Sequence, residues 1–158
     1  MKIICIGRNF SDHAKELNNA QPTEPVVFLK PDTALLRNND PFFIPDFSND
    51  VHHEVELIVK INRLGKNIQP QFANKYFDEI GLGIDFTARD LQDDLKGKGL
   101  PWEKSKAFDS SAVISKNFIN KSAFEKINNI DYVENKCTKM EYQNFFLKKR
   151  QAFPALSN

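Results

Sequence analysis

The sequence predicts a β-rich α+β domain with short helices, and three observations predict it. Residues 53–62, HEVELIVKIN, alternate: Val55, Leu57, Val59 and Ile61 fall on one side, and Glu54, Glu56, Ile58 and Lys60 on the other. A period of two is that of a strand. Residues 2–6 and 25–29 are compact apolar runs, closed by Gly7 and by Lys30-Pro31, which reads as two further strands. Helical spacing, in contrast, is confined to short stretches.

In chain order, 2–6 is a buried strand, and 10–19 is a short helix capped by Ser11 or Asp12 and stopped by Asn18-Asn19. A loop marked by Pro22 and Pro25 leads into the strand 25–29. Residues 32–50 carry Pro41 and Pro45 among several Asn and Asp, which predicts loops with one or two short strands such as 42–44. After the alternating strand, 63–66 is a turn. Phe72, Ala73, Tyr76, Phe77 and Ile80 have helical spacing and predict a helix over 70–80. Residues 81–86 form a Gly-containing strand. Thr87 then reads as the N-cap of a second helix, with Asp90 as its capping-box partner. Gly97-Lys98-Gly99 ends that helix and Pro101-Trp102 opens an extended loop, with Trp102 serving packing; beyond Ser115 the periodicity fades.

The 158 residues suffice for one domain with a core. A net charge of +1 gives no bulk attraction to nucleic acid or to an acidic membrane surface. No apolar run approaches the ~18 residues of a bilayer span, and the N-terminal run lacks the cleavage site of a signal peptide. Two cysteines, Cys5 and Cys137, make no disulfide scaffold and suit a reducing cytoplasm.

The chemistry-bearing candidates are acidic. Glu54 and Glu56, two apart on a strand, point to one face and can offer two oxygen ligands to a hard cation. Asp85, at the end of a Gly-flanked strand, is a candidate third. By spacing alone the same Glu-x-Glu also fits a solvent-facing strand. His13 and Glu16 are i and i+3 on a helix, so they share a face, as an ordinary surface pair also would.

Five segments taken together carry more. GRNFSDHAKEL, PVVFLKP, HHEVELIVKI, GIDFTARDLQ and GLPWEKSKAFD occur in this order over residues 1–115. The set resembles the fumarylacetoacetate hydrolase family, most of all its small single-domain members that act on acylpyruvates, fumarylpyruvate or oxaloacetate. The resemblance implies a mixed β-roll with short helices, paired into a homodimer. It implies that Glu54, Glu56 and Asp85 are the ligands of Mg²⁺ or Mn²⁺. His13 and Glu16 then match a pair on a lid helix over 10–18 that activates water, Lys106 a lysine on the substrate oxygens, and Arg89 and Gln92 the residues at the substrate's carboxylate end. The implied reaction is C–C hydrolysis or decarboxylation of a short 2-oxo acid. The alternative is an inactive fragment that keeps the metal ligands.

The resemblance divides the chain into 1–130, the N-terminal part of such a catalytic domain, and 131–158, a divergent tail with the family's later half missing. The last glycine is Gly99, and no Gly-Thr-Pro-type turn occurs. From Lys136 onward neither strand alternation nor a good amphipathic helix is present. A tail read out of frame relative to an intact family gene accounts for that change of character. The gene's nucleotide sequence checks it: a Gly-Asp- and Gly-Thr-rich continuation in another frame is expected, and its absence from every frame contradicts the idea.

Overall fold

The first apolar run forms β1, Ile3–Gly7, and the second forms β2, Val26–Lys30. They pair antiparallel, with Ile3 opposite Lys30 and Gly7 opposite Val26. This is a computed structural model, and it describes residues 1–8, 24–38, 40–124, 131–133 and 146–148. The alternating run forms β3, Val51–Ile61, and is followed by β4, Phe77–Ala88. Next come two helices, α1 at Arg89–Gly97 and α2 at Glu103–Lys106, and then β5, Ala112–Ile114, and β6, Ile119–Asn120. β3, β4 and β5 are neighbours in that order, and β6 pairs antiparallel with β4. The described residues are sheet-rich with short helices, as the alternation predicts. The chain divides into two units, Met1–Glu54 with Ile84–Val113, and Val55–Gly83 with Ile114–Asn158.

In the first unit, Phe28, Ala34, Ile84, Phe86, Ala88, Leu95 and Ala112 are buried. Phe42 stacks on Phe86 with ring centroids 3.8 Å apart and planes 8° apart. Residues 42–44 are therefore not the short strand expected there. Pro41 and Pro45 lack the N–H a ladder needs, and Phe42 leaves the extended row to cover Phe86, while Phe43 and Ile44 are exposed. Backbone bonds tie this unit across the sequence: Leu36 N–H donates to Ala112 O (2.8 Å), Phe86 N–H to Ser111 O (2.9 Å) and Arg89 N–H to Asp50 O (2.7 Å). On the hairpin of β1 and β2, Phe28 and Lys30 are buried, while Ile4, Ile6, Val27 and Leu29 are exposed.

Two local expectations change here. Thr87 does not cap α1; it is fully buried within β4, and Ala88 takes the N-cap position with no side-chain bond. Asp90 instead accepts from Ser48 Oγ (2.7 Å) and from the N–H of Asn49 (2.9 Å), which holds the loop before β3 against the start of α1. After α1 the chain turns at Gly99, whose φ of +64° is left-handed and suits a residue without a side chain. The stretch after Pro101 is not extended: Ser105 N–H and Lys106 N–H both donate to Trp102 O, which closes the single turn of α2.

In the second unit, the helix expected over 70–80 is only a 3₁₀ turn at Pro70–Lys75, and β4 already begins at Phe77. Cross-strand partners override the local spacing. Asn62 N–H donates to Tyr76 O (2.9 Å), and Lys60 pairs with Glu79 (2.7 Å). Lys121 Nζ donates to Asn74 O and Phe77 O. From Ile80 onward β4 is buried on both faces, which its two glycines permit. A Cβ on Gly81 would meet Phe118 Cε1 at 2.9 Å. Gly81→Val is expected to cost about 1–3 kcal/mol through overpacking against that ring, read as a lower urea midpoint; an unchanged midpoint would show that Phe118 moves aside freely.

In the tail, β7, Asp131–Val133, and β8, Phe146–Lys148, pair antiparallel, with Tyr132 opposite Leu147. No helix among the described residues is long and apolar enough to cross a membrane.

Candidate metal centre

The site is built where β3, β4 and α2 bring carboxylates and ammonium groups together in the first unit. Strand alternation puts Asp85 and Thr87 on one face of β4, because they are i and i+2. Lys106, the last residue of α2, is buried, and its Nζ lies 2.6 Å from each of Glu54 Oε2, Asp85 Oδ2 and Thr87 Oγ1. Thr87 Oγ1 also donates to Glu54 Oε2 at 3.1 Å. Three oxygens from two strands therefore converge on one point, and a positive charge stands at it.

A second buried lysine supports the first. Lys30 Nζ lies 2.8 Å from Asp85 Oδ1. It donates to Ser111 O and Ser111 Oγ, both at 3.0 Å, to Phe86 O at 3.4 Å, and to Lys106 O. Burial holds its pKa below that of an ordinary lysine, and the Asp85 charge pulls it back up. Lys30 thus fixes both Asp85 and the backbone of Lys106.

Arg89, at the first position of α1, completes the charge pattern. Its guanidinium donates to Glu54 Oε1 and to Gln92 Oε1, and its Nε to His52 Nδ1 at 3.4 Å. His52 Nε2 faces Asp50 Oδ1 at 3.1 Å. Arg89 and Gln92 are i and i+3 on the helix and both are buried. Three cations, Lys30, Lys106 and Arg89, thus face two carboxylates, Glu54 and Asp85.

Burial by itself would raise the pKa of Glu54. The charge of Lys106 and its hydrogen bond, then Arg89 and Thr87, outweigh burial and hold it at about 2. The folded chain therefore carries fewer protons here than the unfolded chain between pH about 4.5 and about 2. The sign is that of a depressed carboxyl: its stabilisation is complete above the unfolded value and is lost as pH falls through the folded one. Glu54→Gln is expected to flatten the acid limb of the stability curve in that window; an unaltered limb would contradict the pairing.

Of the residues singled out in the sequence, the structure gathers Glu54, Asp85, Lys106, Arg89 and Gln92. Glu56 is half-buried two residues further along β3, on the face of Glu54 by the strand's period, and belongs to the second unit. Among the described residues no three His, Cys, Asp or Glu side chains gather as a metal-holding group. His13 and Glu16, with the lid helix expected over 10–18, lie outside the described residues. Lys30, Thr87 and His52 are site residues that the sequence reading passes over. Lys30 is nevertheless in phase with Phe28 on the inner face of β2, and Thr87 with Asp85 on β4.

The donor set fits a hard divalent cation, which takes oxygen ligands. Glu54 is held ionised over the whole neutral range. Asp85 Oδ1 is buried, with Lys30 Nζ 2.8 Å away. Glu54 and Asp85 would hold such an ion.

Comparison with known proteins bears on the family. A family profile described as fumarylacetoacetate (FAA) hydrolase C-terminal matches residues 2–141. Bovine oxaloacetate tautomerase FAHD1, mitochondrial, is 42% identical over 113 residues, which are 72% of this chain and 51% of that protein. A Dictyostelium discoideum oxaloacetate decarboxylase, mitochondrial, is 44% identical over 131 residues, 82% of this chain and 60% of that one. The crystal structure of fumarylpyruvate hydrolase from Pseudomonas aeruginosa in complex with Mn²⁺ and pyruvate superposes with a TM-score of 0.67 at 34% identity. It covers 72% of this chain and 51% of that one. The chain therefore spans about half the length of the curated relatives it matches. With a profile that matches most of the sequence and relatives above 40% identity, the chain belongs to the fumarylacetoacetate hydrolase family.

Proposed function

We propose that this protein is a divalent-metal enzyme acting on short 2-oxo acids, by C–C hydrolysis, decarboxylation or keto–enol interconversion. One observation carries the reading: oxygens of Glu54, Asp85 and Thr87 converge on a single cationic point beside Arg89 and Gln92. The names of the relatives support the substrate class, since they refer to oxaloacetate and to fumarylpyruvate. The Mn²⁺ named in the Pseudomonas aeruginosa structure supports a divalent cation as the cofactor, which we take to be Mn²⁺ or Mg²⁺.

When bound, the ion supplies Lewis acidity toward the 2-oxo acid head and stabilises enolate charge. The residues of the chain do the rest. Arg89, steadied by Gln92, takes the substrate carboxylate through its guanidinium. The ammonium of Lys106 faces developing oxyanion charge. Lys30 keeps Asp85 and the turn of α2 in place. In this proposal, His13, oriented by Glu16, takes a proton from water in hydrolysis. Loss of a carbon dioxide or a proton shift needs no such water, so His13→Ala is expected to slow hydrolysis by about 10²–10⁴-fold and decarboxylation far less. Equal losses in both reactions would remove His13 from water activation.

Assay of oxaloacetate, acetylpyruvate and fumarylpyruvate with added Mg²⁺ or Mn²⁺ tests the proposal. Metal-dependent turnover of at least one is expected. A chain that binds the metal yet turns over none would be metal-holding without catalysis, which is the second reading. A homodimer and a reducing compartment, cytoplasmic by cysteine usage, belong to the same proposal, although the names of both curated relatives include "mitochondrial". Sedimentation of the purified chain tests the dimer.

A further inference from the structure

Two buried lysines meet the same carboxylate, and they are held in different ways. Lys30 Nζ is anchored beyond Asp85 by Phe86 O, Lys106 O, Ser111 O and Ser111 Oγ, all fixed parts of the fold. Lys106 Nζ rests on Glu54 Oε2, Asp85 Oδ2 and Thr87 Oγ1, and two of these belong to the proposed metal ligands. Its other neighbour is the face of Phe28, with the ring centroid 5.2 Å away. An ammonium can lean on an aromatic face when its anionic partners are taken.

We propose that Lys106 is the built-in counter-ion of the metal centre, competing with the divalent cation for the oxygens of Glu54 and Asp85, so that metal entry drives its ammonium off those oxygens. The inference rests on the metal reading above and deepens it. A divalent ion and an ammonium that share both carboxylate oxygens repel each other at a separation where the low-dielectric interior screens little. The ion prevails because two charges outweigh one on the same oxygens. Lys30 stays, because most of its partners are not metal ligands. Two consequences follow for this chain. Before the metal enters, Lys106 shares the compensation of Glu54 with Arg89 and that of Asp85 with Lys30. After it enters, the same ammonium is released from Glu54 and Asp85 and can meet a substrate oxygen. Metal occupancy and the availability of Lys106 are then one event.

Mn²⁺ binding to the full chain, followed by the paramagnetic resonance of the unbound ion, tests this on the wild type, Lys106→Met and Lys30→Met. Lys106→Met is expected to bind Mn²⁺ at least about tenfold tighter than the wild type. Lys30→Met removes an equally close charge without vacating the shared oxygens, so it is expected to gain less than about threefold. A second measurement uses only the wild type and so survives a variant that fails to fold. Reductive methylation of lysines, read by peptide mass spectrometry, is expected to modify Lys106 at least about tenfold faster with Mn²⁺ than without it, since its side chain is only 4% exposed in the cage. Lys106→Met binding no tighter than the wild type, with Lys106 equally shielded in both conditions, overturns the inference and leaves the metal reading standing. Glu54→Gln and Asp85→Asn binding Mn²⁺ as the wild type does would overturn both.

Discussion

Asp85→Ala is expected to lower the stability of the chain by about 3–5 kcal/mol, the scale on which removal of one partner from a buried ion pair acts. The reason lies in its two oxygens. Oδ2 is 2.6 Å from Lys106 Nζ and Oδ1 is 2.8 Å from Lys30 Nζ, and all three side chains are buried. Removing the carboxylate leaves two ammonium groups facing each other, with Glu54 as the remaining anion for Lys106. Urea unfolding measures the loss. A change below about 1 kcal/mol would match an exposed pair and would show that the cluster is solvated.

Lys30→Met is expected to cost about 3–5 kcal/mol as well, although methionine nearly conserves the volume. The ammonium bonds three backbone carbonyls, of Phe86, Lys106 and Ser111, and the Ser111 hydroxyl. Each buried acceptor left without a donor costs about 1–3 kcal/mol. Ser111 O keeps the N–H of Phe86 at 2.9 Å and Lys106 O keeps the hydroxyl of Ser111 at 2.8 Å, which limits the loss at those two carbonyls. The same unfolding measurement applies. A stable Lys30→Met variant would show that Lys30 serves neither Asp85 nor the turn of α2.

Lys30 also shows where sequence reading stops. As the residue before Pro31 it looks like the charged end of an apolar strand. Its inward position follows from being in phase with Phe28, and that phase is ambiguous because Val26, Val27, Phe28 and Leu29 are all apolar. β3 presents the opposite case, since its alternation, broken only at Ile58, identifies the strand and the shared face of Glu54 and Glu56 before any coordinates. Phe72 to Ile80 mislead because their helical spacing is real but local. The cross-strand partners of Asn62 and Lys60 draw Tyr76 and the residues after it into extended structure instead. Thr87 is missed for a related reason: a hydroxyl followed three residues later by an acid fits a capping box, yet β4 runs on to Ala88 and turns that hydroxyl toward Glu54. The convergence of Glu54, Asp85 and Lys106 rests on separations of 52 and 21 residues. Spacing in the chain cannot reveal it, and only the order of five family-like segments points to it.

The most direct measurement is the binding of Mn²⁺ to the full chain and to Glu54→Gln, Glu56→Gln and Asp85→Asn, with thermal melting followed in the same samples. One ion per chain is expected, with a metal-shifted cooperative melt for the wild type and affinity lowered at least about 100-fold in each variant, since loss of a ligand exceeds the effect of an outer-shell change. Wild-type binding that survives all three substitutions, or a melt that Mn²⁺ does not move, would contradict a metal centre built on these carboxylates.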